Sequence, residues 1–103
     1  MKKLELTFST TKDGDRTPER HVRHLIAGYA DINTMDGYTL NKALTGYWQG
    51  EEEDSYTLSI ICFNKDDYDK TFIFLIKLSN VIKRLYGQDE TLLTETDIKV
   101  WHE

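Results

Sequence analysis

The order of its strand-like and helix-like segments is the feature that most constrains this chain. A strand-like run at residues 4–9 precedes a helix predicted over about 17–31. Two strand-like runs then flank an acidic turn at 50–54, a longer helix covers about 66–86, and a last strand-like run covers 92–101. This βαββαβ order predicts a ferredoxin-like α+β fold, in which a four-stranded antiparallel sheet carries two helices on one face.

The apolar residues follow the period of the structure predicted for each segment. The first strand alternates apolar and polar residues, so one face is predicted to be buried, with Leu4, Leu6 and Phe8. Thr17 is the expected N-cap of the first helix and Asp66 that of the second. We expect one domain over residues 1–103, with Trp48 buried against the second helix.

Cysteine usage and hydropathy indicate the cellular compartment in which the protein is expected. No apolar run approaches the roughly 20 residues that span a bilayer. The N-terminal residues lack the apolar core of a signal peptide and lead directly into a strand. The single cysteine, Cys62, suits a reducing compartment and is predicted to be a buried thiol. We therefore expect a cytoplasmic protein.

The negative charge is concentrated in the second half of the chain. Residues 51–103 carry six Lys and Arg against twelve Asp and Glu, which gives this half a net charge of −6. The net charge of the whole chain is −5. An acidic domain repels phosphate backbones, which disfavours direct nucleic-acid binding and favours a protein partner with a basic surface. The predicted contact is the acidic turn, Glu51, Glu52, Glu53 and Asp54. Alternatively, the charge serves solubility alone.

The second helix has more apolar surface than one sheet can cover. Residues 72–76 are five consecutive apolar residues and therefore surround the helix. Either the acidic hairpin or the chain termini cover the extra face, or it is a self-association or partner surface. The residues concerned are Phe72, Ile73 and Ile76, and we predict a homodimer or a protein complex.

The sheet face without helices is the other candidate surface. It is predicted to be polar, with Glu5, Thr39, Thr57 and Lys99 among its residues and a minority of large side chains. A pocket on this face would use Tyr47, Phe63, Glu95, Asp97 and Trp101. Base stacking is disfavoured because few basic residues frame the aromatic ones.

No catalytic or metal-binding constellation stands out in the sequence. His21 and His24 are one turn apart on the first helix, but Arg20 and Arg23 lie between and beside them and no third ligand is near. We expect no metal and no cofactor, and an enzyme is the less favoured class. If catalysis occurs, the candidate base is Glu5, Glu95 or Asp97.

Three short motifs resemble a family of small bacterial domains of unknown function. They are Gly37-Tyr38-Thr39-Leu40, Gly46-Tyr47-Trp48, and Tyr86-Gly87-Gln88-Asp89-Glu90 followed by Leu92 or Leu93. In that family a strand ends in Gly-x-Trp, and the second helix ends in an aromatic residue before Gly-Gln or Phe-Gln. The resemblance covers about residues 4–100 and implies the ferredoxin-like fold without an activity.

Two functions are consistent with these features. The first is a non-enzymatic acidic protein-binding module, of the type of phage or mobile-element inhibitors that occupy a basic surface of a host nucleic-acid-handling protein. The alternative is a small-molecule enzyme or binder formed as a dimeric α+β barrel. A deep pocket with a buried carboxylate would favour the alternative.

Overall fold

The computed structural model describes the chain except for Asp36, Leu44, Thr45 and Gln49; for Gly46 and Trp48 it describes the backbone alone. The elements in chain order are β1 (Lys2–Ser9), α1 (Glu19–Ile32), β2 (Thr39–Lys42), β3 (Gly46–Trp48), β4 (Glu51–Glu53), β5 (Ser55–Cys62), α2 (Lys65–Leu85) and β6 (Leu92–Asp97). In the described parts of the chain, no helix is long and apolar enough to cross a membrane.

Among the described residues, four strands form one antiparallel sheet in the order β2-β5-β1-β6. The central pair, β1 and β5, is in register over its full length, from Lys2 opposite Cys62 to Ser9 opposite Ser55. Both helices contribute to one core with the sheet, which leaves the other sheet face bare. The predicted ferredoxin-like fold is confirmed.

The core forms from alternate strand residues and one stripe of each helix. Leu6 lies between Leu58 and Leu93 on neighbouring strands, and Leu6 and Leu58 are fully buried. The buried helix residues recur at helical spacing: Val22, Ile26 and Ala30 in α1, and Phe74, Leu75, Leu78 and Ile82 in α2. This spacing turns one side of each helix toward the sheet.

Both predicted helix caps are wrong by one or two residues. Pro18 occupies the cap of α1 without a side-chain bond, and Thr17 instead donates its hydroxyl to the Thr10 carbonyl. Asn64, not Asp66, caps α2 by accepting the Asp67 N–H at 2.9 Å. Asp66 therefore lies in the first turn, where a negative charge still favours the helix dipole.

The predicted second strand is two strands, β2 and β3. While β2 pairs with β5, β3 pairs with β4 in a separate two-stranded hairpin. The separation occurs at Asp54, whose N–H is bound by the Thr11 hydroxyl at 2.9 Å and whose carbonyl accepts the Thr10 N–H at 3.1 Å. The bond between Thr10 and Asp54 continues the β1–β5 register by one residue pair, and the residues just before Asp54 pair within the hairpin instead. The predicted burial of Trp48 lies outside the described residues.

Tyr56 carries a buried hydroxyl that the described residues leave unpartnered. Its ring is fully buried and stacks on Phe8 with 5.7 Å between ring centroids. A buried polar group without a partner costs free energy relative to its solvated state. Tyr56→Phe is expected to raise the free energy of unfolding by about 1 kcal/mol, measured by urea denaturation. A decrease would show that the hydroxyl is bonded in solution.

Ionisation of the same hydroxyl is expected to lower the stability of the protein at alkaline pH. Burial raises the pKa of Tyr56 above its ordinary value of 10.0, so the folded state holds the proton more tightly than the unfolded state. Titration of this group therefore leaves the free energy of unfolding unchanged below about pH 10 and lowers it as the pH rises further. The wild type should therefore lose more stability than Tyr56→Phe between about pH 10 and 11. Parallel pH profiles of the two proteins would contradict this.

Candidate functional site

An open cleft of about 820 Å³ lies at one end of the bare sheet face. Its floor includes Thr7, Ser9 and Ser55 from the two central strands. The β3–β4 hairpin contributes one part of the wall and residues 87–92 another, and Phe8 and residues 11–13 complete the lining. We call this cavity the acidic cleft.

The acidic cleft is strongly unbalanced in charge. Five carboxylates line it and one lysine, Lys12, so its formal charge is −4; the carboxylates are Asp13, Glu51, Glu53, Asp89 and Glu90. A concave surface with one sign of charge concentrates ligands of the opposite sign. Tyr47 also lines the cleft, with 69% of its surface exposed, and an aromatic face attracts cations. The cleft is therefore suited to a positively charged ligand.

Ion pairs divide the predicted acidic cluster into two parts. Arg16 lies 3.3 Å from the Glu52 carboxylate and 3.4 Å from that of Asp54, and Lys42 lies 3.9 Å from Asp54. Asp54 is 8% exposed, so its ion pairs stabilise the base of the hairpin and its side chain is largely shielded from solvent. Glu51 and Glu53 instead line the cleft. The part of the cluster that faces a ligand is thus Glu51 and Glu53.

The opposite wall is held in place after the end of α2. Gly87, at φ +60°, closes the helix while the Gln88 N–H bonds the Lys83 carbonyl at 2.9 Å. The Gln88 side chain donates to the Thr11 carbonyl at 2.6 Å. Positive φ favours glycine at this position. The sequence predicted the helix stop at Gly87, but it did not predict that Asp89 and Glu90 join the acidic turn in one site.

The rest of the bare sheet face is a network of hydroxyls around one carboxylate. The Thr7 and Thr57 hydroxyls are 3.1 Å apart, and Ser59 donates to Glu5 at 2.7 Å. Lys3 lies 3.5 Å from the other Glu5 oxygen. Glu5 is therefore already bonded on two sides, as in an ordinary solvated antiparallel sheet.

Glu95 and Asp97 do not lie on the bare face, and that prediction is wrong. Directly opposed residues of an antiparallel pair share a face, and Glu95 lies opposite the buried Leu4. Asp97 lies opposite Lys2 and pairs with it; this hydrogen bond lowers the pKa of Asp97 and raises that of Lys2. A hydrogen bond with Glu95 raises the pKa of Tyr68, which lies on α2. Both acids therefore make contacts on the helix side of the sheet, at its β6 edge.

The three predicted pocket aromatics lie in different places. Tyr47 is in the acidic cleft, whereas Phe63 lines two cavities of about 360 and 440 Å³ beyond the other end of β5. Phe63 also stacks on His102, with 6.5 Å between ring centroids. Trp101 follows the end of β6 and is 78% exposed. The structure does not bring the three together in one pocket.

The remaining candidates are the apolar α2 residues and Cys62. Phe72, Ile73 and Ile76 are 40%, 55% and 42% exposed, so the alternative in which the hairpin or the termini cover them is wrong. Cys62 is buried, and burial raises the pKa of its thiol, which disfavours the reactive thiolate. Among the described residues, no group of three His, Cys, Asp or Glu side chains is arranged to hold a metal ion.

Comparisons with known proteins identify the fold. No family model matches the chain, and no curated protein does either. The solved structures that resemble it include a phage SAM lyase in complex with S-methyl-5'-thioadenosine (TM-score 0.59, 15% identity, 93% of this chain and 80% of that one). The de novo designed protein Foldit4 has a TM-score of 0.57 at 14% identity over 95% and 98% of the two chains. The protein At3g17210 of Arabidopsis thaliana has a TM-score of 0.54 at 13% identity over 98% and 99%.

Proposed function

We propose that this chain is a non-enzymatic, acidic protein-binding module that docks on a basic surface through the acidic cleft. The observation that carries the proposal is the convergence of five carboxylates and one lysine on a single cavity. Glu51 and Glu53 come from the hairpin, and Asp89 and Glu90 come from the loop after α2. Residues from distant parts of the chain thus contribute charge to the same place.

The cleft would receive lysine or arginine side chains of the partner. Its negative potential steers a basic surface during encounter, and Tyr47 offers an aromatic face to a guanidinium group. Basic surfaces that bind phosphate backbones are a natural target class. The proposed action is therefore competitive occupation of such a surface on a nucleic-acid-handling protein in the cytoplasm, as phage or mobile-element inhibitors act.

Differential capture tests this proposal. Tagged wild-type protein, a cleft variant (Glu51→Lys with Glu53→Lys) and a control variant are incubated in parallel with a lysate of the producing cells. The control, Asp31→Lys with Glu103→Lys, changes two exposed residues that do not line the cleft and has the same net charge. A partner retained by the wild type and control, lost by the cleft variant and released by salt supports the proposal. Equal capture by all three proteins contradicts it.

A small cationic ligand is the second candidate, because the cleft volume of about 820 Å³ lies within the range of small-molecule sites. One of the similar structures is a phage SAM lyase, and S-adenosylmethionine carries a positive sulfonium that carboxylates and an aromatic ring would attract. The cleft opens on the bare sheet face, so packing that face on a second copy, as in a dimeric α+β barrel, would enclose it.

Calorimetry with two ligands of similar shape that differ in charge tests this second candidate. S-adenosylmethionine should bind at least about 10-fold more tightly than S-adenosylhomocysteine, which lacks the sulfonium charge. Tyr47→Leu should weaken the binding of S-adenosylmethionine more than that of S-adenosylhomocysteine, because it removes the aromatic face. Equal binding of the two ligands, or no binding of either, contradicts the small-molecule candidate and leaves the capture experiment as the test of the first.

A further inference from the structure

One side of α2 presents apolar side chains to solvent. Ile73 and Ile76 are 55% and 42% exposed and lie one turn apart, with Phe72 beside them at 40%. Asp69 and Asn80 continue the same side toward the two ends of the helix, since they are spaced by three or four residues from this pair. We call these five residues the outer face of α2. Apolar patches of this kind mark interaction sites.

Charge is distributed unequally along this helix. Its first nine residues, 65–73, hold three aspartates and two lysines, a net charge of −1. The remaining twelve, 74–85, hold Lys77, Lys83 and Arg84 without an acid, a net charge of +3. This polarity complements the helix dipole. It also means that a second α2 laid antiparallel would place opposite charges together.

We propose that the outer face of α2 binds a second copy of this chain, with the two helices antiparallel about a two-fold axis. An isologous contact uses the same patch on both copies, so the axis must pass through the centre of the patch, between Ile73 and Ile76. Ile73 then lies opposite the partner's Ile76. With the axis at this position, Asp66 lies at the same level along the helix as the partner's Lys83. The apolar pair and the charge pair are thus satisfied by a single register.

The area available predicts a weak dimer. A 21-residue helix is about 31 Å long and about 10 Å wide, so each copy contributes about 300 Å². Stable interfaces bury about 800 Å² per partner. We therefore expect a monomer–dimer equilibrium with a dissociation constant between about 10 μM and 1 mM. The acidic cleft lies on other elements, so failure of this proposal would leave the proposed function untouched.

Sedimentation equilibrium up to about 1 mM protein tests the surface. Ile73→Glu should weaken the dimer at least about 10-fold, because it buries a charge at the two-fold axis. The matched control is Ile61→Glu, which alters an isoleucine of similar exposure, 40%, on the bare sheet face. The control should dimerise as the wild type does. A strict monomer, or a dimer lost in the control and kept in Ile73→Glu, overturns the proposal.

Charge exchange tests the register. Asp66→Lys alone and Lys83→Glu alone should each weaken the dimer by about 2- to 30-fold, since each contact occurs twice. The double variant restores opposite charges across the axis and should regain wild-type affinity. Circular dichroism on all three variants establishes that α2 is intact. If the two single effects add in the double variant, the antiparallel register is wrong.

Discussion

Replacing Leu58 with alanine is expected to lower the free energy of unfolding by about 2–5 kcal/mol. Leu58 is fully buried in β5, opposite Leu6 of β1 on one side and Leu40 of β2 on the other. Removal of its side chain leaves a cavity between both strands and the helices, and close packing permits only partial collapse. Urea denaturation measures the loss directly.

Thr57→Ala is the matched control for Leu58→Ala. Thr57 is the preceding residue of the same strand and lies on the bare face, where its hydroxyl contacts that of Thr7 at 3.1 Å. Its replacement should cost no more than about 1 kcal/mol, because a partly exposed hydrogen bond contributes little net stability. Equal losses at the two positions would mean that the sheet does not have one buried and one bare face.

Reversing the cleft charges should have the largest effect on binding. The cleft variant (Glu51→Lys with Glu53→Lys) removes two attractive carboxylates and adds two repulsive ammonium groups. At low salt we expect the association rate constant for a short poly-arginine peptide to fall about 10-fold or more, because electrostatic steering acts mainly on association. Stopped-flow fluorescence with a labelled peptide measures it.

The control for this effect is a variant of identical net charge. Asp31→Lys with Glu103→Lys should reduce the association rate constant by less than about 3-fold, since screening limits distant charges to about a Debye length. If the two variants slow association equally, total charge steers the peptide and the acidic cleft has no special part in it.

The fold could be predicted because the core segments have clear periods. In β1 the alternation of Leu4, Leu6 and Phe8 with polar residues matches their burial, and in α2 the buried residues Leu75, Leu78 and Ile82 recur at the helical period. Leu85 has the spacing to continue this buried series but is 52% exposed, because α2 ends there and Tyr86 joins the core instead. Period alone does not show where an element ends against its neighbour.

The parity of β6 could not be read from the sequence, because Leu92 and Leu93 are adjacent and either could face the core. Pairing with β1 decides it: Leu93 lies opposite Leu6, and Glu95 then follows on the helix side. An edge strand with few apolar residues has a weak pattern, so its register depends on a partner strand. The pairing of β6 with β1 was implied by the topology, but the register was not.

The acidic cleft could be predicted only in part. The run Glu51–Glu53 is visible in the sequence, whereas its association with Asp89 and Glu90 depends on how the hairpin leaves the sheet at Asp54 and where α2 stops. Composition gives the sign of a segment's net charge, and periodicity shows which face of a helix or strand a residue lies on. Neither gives the distance between two loops that are more than thirty residues apart.

The salt dependence of affinity tests the central claim most directly. The dissociation constant of poly-arginine is measured against sodium chloride concentration for the wild type, the cleft variant and the control variant. We predict that affinity falls steeply with salt for the wild type and control, and that the cleft variant binds weakly with little dependence on salt. Equal slopes for all three proteins would contradict the proposal that the acidic cleft is the site where a basic partner binds.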